Sequence, residues 1–424
     1  MTSLSRCRRF LLSTEQRVLI NMAPTIAGIP VAFILFACTL LGVAMFHHHV
    51  LRVASIGLLS ITAYMLVFSS FDGVAGIAGL VTHFSHEWVV LTNLFGLLVG
   101  FALLADHFEK SRIPDLLPAV LPDDWRGPAM LLVIIFVMST FLDNIAAAII
   151  GGTIASSVFQ KKVHIGYLAA IVTASNAGGA GSVVGDTTTT MMWIEGVAPS
   201  TVAVAFLPAL VALAVLSIPA ALTQQKYSPI VCDPRPGIHL DWSRVFIVGI
   251  ILGSVVATNV VVNTLYPELA DSFPFLAAAV WTSILLTAVW RAPHWKLVPA
   301  AAVGSLFLIC LVASASMMPV ESLPTPSWHT VLGLGFISAI FDNIPLTKLA
   351  LEQGAYDWGA LAYAVGIGGS MVWFGSSAGV ALSTQYPEAR SVVLWLRHGW
   401  FVPIAYVAGF LALLAVIGWH PAAT

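Results

Sequence analysis

Three aspartates set in apolar stretches, Asp143, Asp186 and Asp342, are the residues of this 424-residue chain best placed to do chemistry. An ionisable side chain at membrane depth costs about a few kcal/mol or more, so each needs a compensating role. Two of them stand in Asp-Asn pairs, in "FLDNIAAAII" (141–150) and "IFDNIPLTKL" (340–349). The third ends "NAGGAGSVVGD" (176–186), which returns more loosely as "GIGGSMVWFGS" (366–376). Each half of the chain thus carries an Asp-Asn pair and then a Gly-Gly inside another apolar stretch. One Gly-Gly alone reads as helix packing. The repetition of both features in the same order points instead to a transport site.

The pairs Asp143-Asn144 and Asp342-Asn343 set hydrogen-bonding side chains where helices end and backbone groups lack partners. Gly178, Gly179, Gly181 and Gly185 are expected to loosen the helix between 165 and 194, and unwound backbone at that depth survives only around a protected cavity, where its carbonyls can face a cation. Thr187, Thr188, Thr189 and Thr190 add hydroxyls, and Gly366, Gly368, Gly369, Ser370, Gly375, Ser376 and Ser377 repeat the theme without a carboxylate. Oxygen ligands suit a hard cation such as sodium, with Asp143, Asn144, Asp186, Asp342 and Asn343 as its candidate ligands. A carboxylate in low dielectric holds a proton more firmly than one in water. Competition between proton and cation for one carboxylate is enough to give exchange. No cofactor is expected beyond the ions themselves.

The elements that position these residues are helices in lipid. Hydrophobic residues make up 58% of the chain and charged ones 9%, against about 25% charged in a soluble domain. Apolar stretches near 25–46, 53–70, 88–105, 128–142, 145–159, 165–194, 198–222, 245–263, 273–290, 297–318, 330–352, 358–382 and 399–418 nearly fill the sequence, and a spanning helix takes roughly 20 residues. Alternating ten-residue segments of a β-barrel are absent. A net charge of −2 offers no basic surface for nucleic acid. The four cysteines, Cys7, Cys38, Cys232 and Cys310, show no paired or metal-ligand spacing and read as unbonded. With no Ser/His/Asp set and no HExxH motif, an enzyme is not expected.

The stretch 128–159 as one helix would be roughly 48 Å long, beyond the bilayer core. Folded back at Asp143-Asn144 it gives two arms of about 22 Å. Pro345, just after Asn343, suits the first turn of a new helix. Five crossings between the two hairpins put their mouths on opposite sides. One side then collects Lys110, Arg112, Arg126, Lys161, Lys162, Lys226, Arg235, Arg244, Arg291, Lys296, Arg390 and Arg397, while loops 264–272, 319–329 and 353–357 hold no Lys or Arg. By the positive-inside rule the first side is cytoplasmic. The expected fold is an all-α polytopic membrane protein of two inverted repeats, each with a re-entrant helical hairpin and a broken transmembrane helix.

The expected organisation is 1–105 as N-terminal scaffold helices and 106–222 as the first repeat core, with hairpin 128–160 and broken helix 165–194. The segment 223–244 is a cytoplasmic linker and 245–318 the second-repeat scaffold. Residues 319–424 form the second core, with hairpin 330–352 and broken helix 358–382. Arg6, Arg8, Arg9 and Arg17 before an apolar run resemble a signal peptide, but the run is long for one and an uncleaved first helix is expected. The topology of 1–105 stays open between two, three and four crossings.

Lys348 lies five positions after Asn343. It can pair with a buried aspartate, replace a second cation, hold an anionic substrate or snorkel to the hairpin mouth. His47-His48-His49 reads as a solvated loop, and Glu195 as an exposed residue at the interface.

The stretch "SNAGGAGSVVGDTTTTMMWIEG" (175–196), with "SAIFDNIPL" (338–346) and "GIGGSMVWFGSSAGVA" (366–381), resembles the NhaD-type sodium/proton antiporters of the ion transporter superfamily, which also holds citrate and dicarboxylate carriers. The resemblance implies a homodimer in a bacterial-type inner membrane, with a static scaffold, a mobile transport domain and sodium/proton antiport by alternating access. It carries functional roles to Asp143, Asn144, Asn176, Asp186, Thr187, Thr188, Asp342, Asn343, Ser376 and Ser377. Gly178, Gly179, Gly368, Gly369 and Lys348 complete the candidate substrate and ion site. Lys348 departs from the antiporter pattern. It keeps open a second reading, sodium- or proton-coupled import of citrate or a dicarboxylate, with Lys348 and the hairpin N-termini receiving the carboxylates.

Overall fold

The computed structural model describes residues 24–46, 49–71, 74–116, 121–231, 239–266, 269–270 and 272–422, and these are mostly helical. A two-residue strand pair, Thr25–Ile26 with Ile29–Pro30, precedes α1 (Val31–Met45). The first helix therefore starts later than the apolar run from Thr25, because the turn at Ala27-Gly28 takes positive φ and no helix runs through it. Then come α2 (Val50–Phe68), α3 (Gly76–Lys110), α4 (Arg126–Ser139), α5 (Asn144–Val158), α6 (Ile165–Ala180), α7 (Thr187–Ile194) and α8 (Phe206–Tyr227). The second half supplies α9 (Trp242–Leu265), α10 (Phe275–Ala288), α11 (Val298–Ser316), α12 (Trp328–Ser338), α13 (Asn343–Gln353), α14 (Trp358–Gly368), α15 (Ser377–Gln385), α16 (Val392–His398) and α17 (Phe401–Val416). Of the four cysteines, Cys38 and Cys310 are unbonded; Cys7 and Cys232, like His47 and His48, lie outside the described residues.

Among the described residues five helical stretches are long and apolar enough to cross a membrane: Val50–Phe68, Gly76–Lys110, Pro199–Tyr227, Trp242–Val262 and Trp295–Ser316. The pair α16 and α17, bent by 59°, makes a sixth if taken as one span. Helix α3 runs well beyond the 88–105 stretch expected from hydropathy. Its outer turns hold polar residues whose partners lie on distant helices, as with His83 Nε2, 3.0 Å from Ser316 Oγ on α11.

The helices pack in two groups. In one, α9, α10 and α11 lie against α3, while α2 packs on α11 and α1 on α2. In the other, α4 packs on α6 and α12 on α14, with α8 and α17 alongside. Tyr167 of α6 donates to Pro128 O of α4 at 2.7 Å, and Tyr406 of α17 donates to Leu332 O of α12 at 2.9 Å. The short helices cross between halves: α5 packs on α15, and α13 on α7. Charged ends gather on one face, where Asp241 pairs with Arg244 and Arg291, Asp106 with Lys110 and His294, and Arg244 reaches His107.

The helix between 165 and 194 is interrupted as expected, with Gly181 and Gly185 in the gap between α6 and α7, but Gly178 and Gly368 serve packing. A Cβ on Gly178 would collide with Phe136 O, and one on Gly368 with Gly335 O. The first collision lies between α6 and α4 and the second between α14 and α12. Counted from Asp143 and Asp342, Phe136 and Gly335 hold the same register. Both glycines also lie within helices, so close backbone approach is their requirement. We predict that Gly178→Ala and Gly368→Ala each cost about 1–3 kcal/mol or more by overpacking, read as lost monodisperse protein in detergent. Gly249→Ala on α9, where nothing lies within 4 Å, leaves yield and melting temperature unchanged.

Candidate functional site

Four helices begin at one place. Asp143 caps α5 by accepting from Ile145 N at 3.2 Å, and Asp342 caps α13 by accepting from Ile344 N at 3.0 Å. Asp186 caps α7 through Thr188 N at 3.1 Å, and Ser376 caps α15 through Gly379 N at 3.3 Å. These residue types are the favoured N-caps, since a side-chain oxygen satisfies an orphan N–H. Their carboxylates also neutralise the positive ends of the helix dipoles. In each half the backbone leaves one helix at Ser139, Ala180, Ser338 or Gly368 and enters the next a few residues later, so carbonyl ends and N–H ends lie side by side.

Side chains from both halves meet across these breaks. Asn144 Nδ2 donates to Asn176 Oδ1 at 3.0 Å, and Asn176 Nδ2 donates to Ser370 Oγ at 2.8 Å and Ser376 Oγ at 3.1 Å. The first tip is thereby linked through α6 to the second broken helix. Asn343 Nδ2 lies 3.5 Å from Asp186 Oδ2, which brings the second tip to the first broken helix. Ser377 Oγ donates to Asp342 Oδ2 at 3.1 Å. A methyl placed on Gly366 would lie 3.7 Å from Asn176 O and 3.8 Å from Asp186 Oδ2, so one methyl-sized space separates the two clusters. Asn144, Asn176, Asp186, Asn343 and Ser376 are buried; Asp143 and Asp342 are partly exposed.

Two hydroxyls are left over. Thr188 Oγ1 and Ser139 Oγ are buried and make no hydrogen bond of standard geometry. An unmet buried hydroxyl costs about 1–3 kcal/mol unless something else approaches it. Ser338, the counterpart of Ser139, instead donates to Val365 O at 2.8 Å. Neutral hydroxyls, amide oxygens and carboxylates at the ends of interrupted helices form a donor set that a small hard cation fits.

Of the residues expected from sequence, Asn144, Asn176, Asp186, Asn343 and Ser376 come together in the contacts above, as does Ser377 with Asp342. Asp143 turns back to its own helix. Thr187 and Thr188 begin α7, buried beside Asp186. Gly179 and Gly369 close the breaks: a Cβ there would lie 2.6 Å from Gly185 O and 2.7 Å from Gly375 O.

Lys348 joins none of the aspartates and does not reach solvent. Its fully buried ammonium lies 2.9 Å from Glu87, 2.9 Å from Glu195 and 2.8 Å from Glu352. Glu195 is thus an ion-pair partner with a side chain 29% exposed, not a free interfacial residue. Sequence reasoning missed Glu87 and Glu352. Only Glu352, four residues after Lys348, left a local signal. Lys348 is taken by three glutamates, and Ile145 N of α5 and Ile344 N of α13 are taken by Asp143 and Asp342.

No protein-family model matches the chain. Over 340 residues it is 28% identical to sodium/proton antiporter 1 of Arabidopsis thaliana, a match covering 70% of this chain and 57% of that protein. Over 335 residues it is 27% identical to sodium/proton antiporter 2 of the same plant, covering 69% and 78%. Over about two thirds of its length the chain is thus similar to sodium/proton antiporters. Over 90 residues it is 37% identical to the Na+/H+ antiporter NhaD of Alkalimonas amylolytica, covering 20% of this chain and 18% of that one. The chain thus matches little more than half the length of the first of these relatives. None of these three is a citrate carrier.

Proposed function

We propose that the protein exchanges sodium for protons across a membrane by alternating access. The observation that carries this reading is the meeting of both Asp-Asn tips with the broken helix of the first half, at Asn176 and Asp186. In this reading the two halves are inverted repeats and α4–α5 and α12–α13 are re-entrant hairpins. The matched collisions at Gly178 and Gly368 support it, as does the reciprocal packing of α5 on α15 and α13 on α7. Helices α1–α3 and α9–α11 form the scaffold, and the remaining helices form the moving body. The face rich in Lys and Arg is cytoplasmic. The homodimer and the bacterial-type inner membrane rest on the sequence resemblance alone.

A carboxylate such as Asp186 holds either a proton or, with Asn343, Thr188 and nearby carbonyls, a sodium ion. Two occupants that exclude one another at a site with alternating exposure are exchanged one for the other. Carboxylate import is disfavoured by the occupied state of Lys348 and the tip amides. The test is sodium-induced collapse of a preformed pH gradient in everted vesicles. Gradient collapse by citrate and not by sodium would refute the reading.

The left-over hydroxyls give a sharper expectation. Thr188→Val and Ser139→Ala raise the KM for sodium about three- to tenfold, roughly what one modest oxygen contact supplies. Because neither hydroxyl makes a hydrogen bond of standard geometry within the protein, the melting temperature stays close to the parent's. A fall in stability with unchanged KM would make them structural.

A further inference from the structure

Lys348 and its three glutamates lie outside the exchange site, and their placement is not random. Lys348 and Glu352 stand on α13, and Glu195 follows α7; in the exchange reading both helices belong to the body carrying the tips, with α13 packed on α11 of the other group. Glu87 stands on α3, in the other group. Among the described residues, Glu87–Lys348 is the one ion pair joining α3 to the helices of that body. Beneath it the contact between the groups is apolar: Leu94 of α3 and Leu308 and Val312 of α11 meet Met191 of α7 and Ile344 of α13. His83 and Ser316 hold α3 to α11, so this face is one surface. Glu87 lies in the first half of α3, about 34 Å along the helix axis from Lys110.

An apolar contact without interlocking polar bonds gives little directional resistance to sliding, because burial is rewarded in any register. A single buried ion pair does give resistance, since separating charges at low dielectric is costly. Lys348 keeps two carboxylates, Glu195 and Glu352, within its own body. It therefore remains neutralised when Glu87 is left behind, and the cost of parting is limited to one contact of three. The surplus of carboxylates has a use in this arrangement: two travel with the lysine and one marks the docked position.

We propose that Lys348 is a positioning residue of the transport cycle, whose pairing with Glu87 registers the second Asp-Asn tip against α3 and must break each time the body moves. The inference rests on the exchange reading above, and the experiment separates the two. Glu87→Cys with Glu195→Cys, in a background with Cys7, Cys38, Cys232 and Cys310 replaced by serine, leaves Lys348 paired with Glu352. The carboxylate oxygens of Glu87 and Glu195 lie within 4.8 Å of one another, so a short bifunctional thiosulfonate spans the pair.

In proteoliposomes the reduced double variant exchanges sodium for protons, which tests the function by itself. Bridging lowers the rate at least about tenfold, the ratio supplied by one charge-assisted contact made permanent, and dithiothreitol restores it. Bridged protein that exchanges at the reduced rate overturns the inference and leaves the function standing. Glu87→Gln provides a second measure, because its Lys348 keeps both other partners. Its turnover changes at least about threefold per folded molecule while the sodium KM stays level, since Glu87 is remote from the ion site. Unchanged turnover in this variant also overturns the inference.

Discussion

Asp186→Asn is expected to abolish sodium-dependent proton exchange while leaving the protein folded. Asparagine caps a helix as well as aspartate does, so the bond that Asp186 receives from Thr188 N, which starts α7, persists in the variant. The other side-chain atom, facing Asn343 at 3.5 Å, loses its charge and its capacity to carry a proton. Charge-assisted contacts contribute about 1.5–3 kcal/mol each, and about 1.4 kcal/mol is a tenfold change. Loss of two such contacts with sodium lowers exchange about 100-fold or more. Asp186→Ala removes the cap as well, so it loses both exchange and roughly 0.5–2 kcal/mol of stability. Comparing the two by vesicle fluorescence and thermal denaturation separates the charge from the cap.

The second large effect is on stability. Lys348→Met leaves Glu87, Glu195 and Glu352 crowded without a counter-charge. Removing one member of a buried ionic group costs about 3–5 kcal/mol, because the charge left behind has no compensation. The variant should therefore aggregate in detergent or melt well below the parent. Adding Glu195→Gln and Glu352→Gln recovers most of the loss, since the destabilisation lies in the uncompensated charges and not in the missing lysine. A Lys348→Met protein as stable as the parent, scored by size-exclusion fluorescence after heating, contradicts the cluster.

The helical breaks at the two tips were legible because an Asp-Asn pair in an apolar stretch too long for one span leaves the chain one economical place to turn. The structure interrupts the helices there, with arms of 14 and 15 residues in the first copy. Gly181 and Gly185 were legible as the place where the 165–194 helix breaks, whereas the packing role of Gly178 and Gly368 was not. Their spacing is the same whether they unwind a helix or admit a neighbouring backbone, and only three-dimensional packing separates the two.

Helix α3 was underestimated for a related reason. Glu87 and His83 look like loop residues until Lys348 and Ser316, far away in sequence, are brought beside them. The same distance hid the glutamate cage around Lys348. Buried charge is recognisable in a sequence, but its partner is recognisable only when it sits on the same helix, as Glu352 does.

In the exchange mechanism proton and sodium compete for the carboxylates around Asp186 and Asn343. Adding sodium to purified protein in weakly buffered detergent solution, with a pH indicator, tests it without any membrane gradient. Sodium should release protons at a concentration matching its transport KM, potassium should release none, and Asp186→Asn should release markedly fewer. Sodium binding, measured in parallel with a radioactive tracer, that releases no protons from the unmodified protein would contradict the account.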